Sequence, residues 1–578
     1  MTSPREPARP GGQPDGLARY YQRPDLKATL EQIRRARLRL RLAMSAASAH
    51  KACLELLACW QAYAHNRTLA YLLHEQKSSD VPLAKELSFF QAADGPVQSS
   101  LALAFKAILD CRFRDDILPL IRPFHLDAAL YWSQLSSERI QADCETEAVK
   151  IRELSDWMAQ SRIFCLGQRW PIAALPALLE SPQRSIRRAT FRGILDFIRT
   201  HEEWLNRQIS DLIELRGQMV KKMHLPGQFE MTRHQTGLFG VTEDQIGEFK
   251  RFVQHFFVPM GVEIRRLQRK RLNLEILSEH DLLCFLPDGH PVPTSSRDVQ
   301  FHAITATLKQ LLQQNRDDQV LDLTCLDLPL ADFQLGPDMY GDVTACLLGP
   351  KGPVYWRLPH HGTMTDISHH LQAFGPLLAA LSDQAIARSA DSIAAPVLPD
   401  IARATLQASL TELAAQPNLQ ELIQENDLYK LLRLTQMTET LVTLTLMADF
   451  SYQIHQGNLL GPAERYALWL ELEQVYLPDL EHADWPFLAQ GSLQHLALEA
   501  WLVPGQSLAQ AFGLFAALCV WQKNRKFPDH LGQDWARLIA KGNSLPFNQL
   551  LDTLQLPQPW DESAFKRLAY AISAELSL

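Results

Sequence analysis

Histidines crowd one stretch of this chain. His360 and His361 stand at one end of it, His369 and His370 at the other, and Asp366 lies between them. Imidazole and carboxylate groups bind first-row metal ions, and imidazole also moves protons near neutral pH. On a helix, Asp366 and His370 are four residues apart and His369 and Gln372 are three apart, so either pair can share a face. A metal site built here would draw on Asp366, His369, His370 and the later Asp400. Tetrahedral zinc takes four ligands, and the sequence names no convincing full set. The plainer reading makes these residues the polar entrance to a helix.

Other chemistries leave weaker traces. There is no G-x-S-x-G elbow, no phosphate-binding glycine loop and no dinucleotide fingerprint. Cys53, Cys59, Cys111 and Cys519 sit in apolar helical patterns, where a thiol behaves as a small hydrophobe, and no C-x-x-C pair occurs. A reducing, cytoplasmic setting is expected. The net charge of -8 and the scatter of basic residues argue against nucleic acid as a partner. The basic runs Arg34 to Arg41 and Arg265 to Arg271 read as solvated helix faces. No apolar stretch escapes interruption by charge for long enough to span a bilayer, so no membrane partner is expected.

The elements that must position the histidines are helices. Leu212, Leu215, Met219 and Met223 recur at three- and four-residue steps. Ile246, Phe249, Val253, Phe256, Met260, Ile264 and Leu267 do the same. Leu225-Pro-Gly-Gln228 breaks the chain between them, and Val241-Thr-Glu-Asp-Gln245 reads as a helix start with its cap. His455-Gln-Gly457 reads as a helix end with glycine as the cap. Texture changes at residues 320 to 357, where Val343 to Leu348 and Val354 to Leu358 read as strands around the turn Gly349-Pro-Lys-Gly352. This is the one region expected to be β. The first residues, 1–16, are rich in Pro, Gly and Arg and read as a disordered tail, with neither a signal peptide nor an anchor.

Three landmarks in order resemble the oligoendopeptidase F branch of the thimet oligopeptidase family of zinc peptidases. The first is Leu212 to Leu277, with Phe256-Phe-Val-Pro-Met260 and Gln268-Arg-Lys-Arg-Leu-Asn-Leu274. The second is His361-Gly-Thr-Met-Thr-Asp-Ile367, similar to the lead into the family's zinc helix. The third is His482-Ala-Asp-Trp-Pro-Phe487, which looks like the opening of the family's tyrosine-rich substrate segment. The resemblance covers residues 200 to 520. It implies a mainly α, two-lobed helical oligopeptidase fold around a deep channel, with one small sheet beside the active site. The helical region 17–200 would be the N-terminal lobe, and 201–578 the peptidase-like domain.

The family's zinc helix carries H-E-x-x-H, whose two histidines bind zinc while the glutamate activates the metal-bound water. In the register set by Asp366, the five positions here are Gln372, Ala373, Phe374, Gly375 and Pro376. An amide is a poor ligand beside imidazole, alanine is no base, and Pro376 is expected to kink or end the helix. The third ligand of the family is a glutamate; 28 residues after Gln372 stands Asp400. The tyrosines that would stabilise an oxyanion correspond to Leu488, Gln490 and Ser492. The resemblance therefore implies zinc, but the ligands for it are missing. The expectation is a pseudopeptidase with no cofactor. It would bind a peptide or protein partner in the retained channel, with His482, His361 and Gln490 as candidate contacts. Two alternatives stand beside it. One is an enzyme of different chemistry in the same channel, with or without a relocated metal. The other is an inactive subunit assembled with itself or with an active homologue.

Overall fold

Apolar residues at helical steps build the first three helices against one another. α1 (Leu26–Arg41) starts at Asp25, whose side chain accepts from the Ala28 backbone N–H at 3.1 Å, and it buries Ile33, Ala36 and Leu40. α2 (Ala46–Gln76) and α3 (Val81–Leu109) close on it around Leu56, Trp60, Phe90 and Phe105. The computed structural model describes residues 16–76, 80–121, 140–315, 321, 323, 326, 330–332, 344–348, 354–357, 361–389, 400–423, 425–457 and 461–578. His360, most of the N-terminal tail and the turn Gly349 to Gly352 lie outside them.

α4 (Gln141–Gln160) leads into an antiparallel hairpin of β1 (Arg162–Cys165) and β2 (Gln168–Pro171). The sequence reading placed β structure only near residues 320 to 357, so this hairpin corrects it. Its strands are four residues each, too short for an alternation to register. Its turn also uses Leu166 and Gly167, both at positive φ, in place of the usual Asn-Gly. Ile163 and Cys165 pack with Phe191, Trp485 and Leu488.

α5 (Arg184–Lys222) runs without interruption across residue 200, the boundary expected between the lobes. The breaker after it separates it from α6 (Gln228–Gln235), as read. α7 (Glu243–Phe252) opens on a full capping box: Thr242 Oγ1 accepts from Gln245 N at 3.3 Å, and Gln245 Oε1 accepts from Thr242 N at 2.9 Å. The apolar run then continues through a π-helical turn, Val253–Phe257, into α8 (Val258–Arg271). Pro259 explains the turn, since it has no N–H for the carbonyl four residues earlier. The basic run on α8 is not all solvated. Arg265 is buried and pairs with Asp479 at 2.6 Å and Glu439 at 3.1 Å.

α9 (Arg297–Gln314) precedes a three-stranded sheet ordered β3 (Leu330–Asp332), β5 (Val354–Arg357), β4 (Thr344–Leu347). β4 and β5 pair antiparallel, as the strand–turn–strand reading requires, and β3 joins β5 in parallel. The buried Trp356 on β5 meets Phe301 of α9 and Phe374 with centroids 5.4 and 4.4 Å apart. Phe374 belongs to α10 (Met364–Ser389), which packs on α11 (Ile401–Ala415). α12 (Asn426–Gln456), α13 (Pro462–Tyr476), α14 (Gln506–Asn524), α15 (Pro528–Ala540) and α16 (Glu562–Leu576) complete the main core. α12 ends at Gln456 as read, but Gly457 has φ −77°, so the end uses no left-handed glycine. Among the described residues no helix is long and apolar enough to cross a membrane.

Candidate functional site

α10 carries the residues singled out first, and Asp366 sets its entrance. The carboxylate Oδ2 accepts from the backbone N–H groups of His361, Gly362 and Thr363 at 2.9, 2.7 and 3.0 Å, tying the loop down at the helix start. His361 Nδ1 lies 3.5 Å from the other carboxylate oxygen. His370 is fully buried. His369 is exposed, beside His370 on the same helix. Burial and the nearby charge of Arg433 together hold its imidazole below the ordinary pKa.

Pro376 does not end the helix: α10 continues thirteen residues further, to Ser389. The lost hydrogen bond is tolerated because packing holds this turn on both sides. Phe374 lies under Trp356, and Gly375 lies against α11. A Cβ at Gly375 would come within 2.4 Å of the Gln407 carbonyl oxygen, so glycine is what lets the two backbones approach.

Gln372 donates its amide to Glu412 Oε2 at 2.8 Å. Glu412, on α11, has no exposed side-chain surface and is gripped by Arg433 of α12 through bonds of 2.5 and 3.0 Å. The Tyr429 hydroxyl reaches Glu412 Oε1 at 3.2 Å and also lies 2.9 Å from Ser368 Oγ on α10. Burial alone would raise the Glu412 pKa. The Arg433 charge and the bonds from Arg433, Gln372 and Ser368 outweigh it, and the carboxyl sits below the usual range. Three helices therefore meet on one buried ion pair with its hydrogen bonds filled.

Asp400 is the N-cap of α11, accepting from Arg403 N at 3.0 Å, with Arg403 Nη1 3.4 Å from its second oxygen. Burial raises its pKa against the pull of Arg403. His482 lies between two carboxylates: Nδ1 faces Glu279 Oε1, and Nε2 is 2.8 Å from Glu473 Oε2. Leu488 is core, Gln490 is exposed, and Ser492 is buried on the next helical turn. Among the described residues no group of three His, Cys, Asp or Glu is arranged to hold a metal ion.

Ser368, Glu412, Tyr429 and Arg433 were not singled out from sequence. One signal was present for Glu412: it is a lone acid in Leu410-Thr-Glu-Leu-Ala-Ala415, an otherwise buried helix segment, and such a charge needs a partner.

By sequence, the chain matches no family profile and no curated protein. By structure it matches solved peptidases along nearly its whole length. A protein assigned as an oligoendopeptidase F aligns with a TM-score of 0.86 at 19% identity, over 96% of this chain and 97% of that one. PZ peptidase A, solved with an inhibitor, gives 0.87 at 18% identity, over 96% and 98%. A protein from Bacillus anthracis str. Ames, also assigned as an oligoendopeptidase F, gives 0.82 at 18% identity, over 96% and 97%. The fold is that of the oligoendopeptidase F-type peptidases, mainly helical with small sheets.

Proposed function

We propose that this chain is a non-catalytic relative of the oligoendopeptidase F group, and that it binds a peptide or protein partner through the scaffold it shares with those peptidases. The observation that carries this reading is the use made of Gln372. At the position where the resemblance calls for the first zinc-binding histidine, an amide is committed to Glu412, and Glu412 is committed to Arg433. The next positions do not fit zinc either. Ala373 offers no base, Pro376 offers no donor atom, and the Asp400 carboxylate caps α11 through one oxygen while the other stands 3.4 Å from Arg403 Nη1. A guanidinium beside Glu412 supplies the positive charge this carboxylate needs, so the buried centre is balanced by the chain's own residues. Binding a partner makes no demand on zinc ligands, which is why their replacement is compatible with a retained role.

The test uses the purified full chain. After dialysis against zinc, substoichiometric metal is expected, and quenched-fluorescent peptides should remain intact. Stoichiometric zinc together with chelator-sensitive cleavage would overturn the reading. Co-purification of a bound peptide or protein supports the binding role. A combined Gln372→His, Ala373→Glu, Pro376→His and Asp400→Glu variant that gained zinc would support the register on which the reading depends.

A further inference from the structure

The turn between the first two helices carries an exposed apolar tip. Leu38 and Leu42 stand four residues apart at the end of α1, and Met44 follows before α2 begins. They are 42%, 74% and 84% exposed, and Met44 is the most exposed large apolar side chain among the described residues. A lone exposed leucine is ordinary, but three such side chains within seven residues at a turn form a patch. The bundle does not use them, because Leu40, Ala43 and Ala49 supply the core face of the same turns.

The tip is also basic. From Glu31 to Glu55 the cations Arg34, Arg35, Arg37, Arg39, Arg41 and Lys51 stand against the two terminal glutamates, in a chain whose net charge is -8. Glu31 lies 3.0 Å from Arg35 and 4.0 Å from Arg34, and Glu55 pairs with Arg39. Arg37, Arg41 and Lys51 pair with no acid among the described residues. The end of α3 and the residues after it do not cancel this excess, since Lys106, Arg112 and Arg114 balance Asp110, Asp115 and Asp116.

Charge and area together select the partner. An acidic protein would suit the arginines, but a stable protein interface takes about 800 Å² from each side, and three side chains on a helix–helix turn offer far less. A lipid surface asks for no matching shape. Apolar side chains enter the boundary between headgroups and acyl chains, and arginine stems lie along it with their guanidinium groups on the phosphates. Such binding needs no spanning segment.

We propose that this tip docks the protein on an anionic lipid bilayer, with Leu38, Leu42 and Met44 in the interface and Arg41 and Lys51 against lipid phosphates. The surface is separate from α10 and α11, and the proposal does not depend on the role given to Gln372.

Co-sedimentation of the full chain with vesicles tests it. Binding is expected to equimolar phosphatidylglycerol and phosphatidylcholine, much less to phosphatidylcholine alone, and it should weaken as salt screens the cations. Each Lys or Arg near an anionic surface is worth about fivefold in partitioning. Arg41→Gln with Lys51→Gln should therefore weaken binding by about twentyfold. Leu42→Ser with Met44→Ser should weaken it by about tenfold, at an unchanged thermal midpoint because both side chains are exposed. Phe527→Ser with Tyr570→Ser, which removes exposed aromatics before α15 and on α16, should leave binding as it was. No sedimentation with the anionic vesicles would overturn the proposal, as would equal sedimentation with the neutral ones or full binding by both tip variants. Retention on immobilised poly-glutamate in place of vesicle binding would assign the tip to an acidic protein and overturn it too.

Discussion

Both ring nitrogens of His482 face carboxylate oxygens, from Glu279 and from Glu473 at the end of α13. Burial pulls the imidazole pKa down, but the bonds and charges of the two glutamates overcome it and hold it at about 9, above the ordinary 6.5. A group raised on folding adds stability while it is protonated in both states, and that stability fades as the folded form loses its proton. The contribution is therefore complete below about pH 6.5 and disappears as pH rises through about 9. Thermal midpoints measured across that interval should fall more steeply for the native chain than for His482→Gln, in which no group titrates at this position. Parallel curves for the two proteins would sink the assignment. Sequence drew attention to His482 through its motif, but its partners lie 203 positions upstream and 9 upstream, and no local pattern announces them. The same holds for Gln372. Its place on the helix after Asp366 was legible, whereas its bond to Glu412 depends on how α10 meets α11.

Helices were the most legible elements, because burial repeats every three or four residues and caps have local signatures. The box at Thr242 and Gln245 is the clearest case. The hairpin at Arg162–Pro171 and the π-turn at Val253–Phe257 were not legible. Each is short, and the π-turn preserves the apolar stripe on either side of it. Pro376 shows that a local rule can lose to packing, and Gly375 beside it shows the reverse sign. On propensity alone, Gly375→Ala should stabilise α10 by about 1 kcal/mol. The structure predicts destabilisation instead. The added Cβ would press on the Gln407 carbonyl and on the Ala408 backbone nitrogen at 2.4 and 2.7 Å, and backbone cannot rotate away as a side-chain tip can. Overpacking of this kind costs about 1–3 kcal/mol. Urea unfolding should show a lower midpoint for the variant at unchanged slope; a raised midpoint would mean that α10 and α11 do not approach as closely as described.

At the scale of the molecule, the N-terminal helices reach the site region through the sheet. The end of α2 places Leu69, Leu72 and Leu73 against Leu348 and Tyr355, and Gln76 donates to the Tyr355 hydroxyl at 3.1 Å. Arg357, at the end of β5, is buried and bonds Glu75 of α2 at 2.6 Å. The next residue back on β5 is Trp356, which packs on Phe374 of α10. One strand thus carries the contact from α2 on one face to the Gln372 helix on the other, following the alternation of side chains along a strand. Composition and periodicity gave no sign of this link, since Glu75 and Arg357 are 282 positions apart. Arg357→Met keeps much of the apolar stem while removing the guanidinium, leaving Glu75 in a half-dry setting without this bond. The expected cost is about 1–3 kcal/mol, less than for a fully enclosed pair because Glu75 retains some solvent. The loss should be local before it is global: amide exchange should rise in the last turns of α2, around Leu69 to Gln76, while α14 in the main core keeps its protection. Exchange that rises equally in both would show that the N-terminal helices and the core unfold as one unit, and that β5 is not the seam between them.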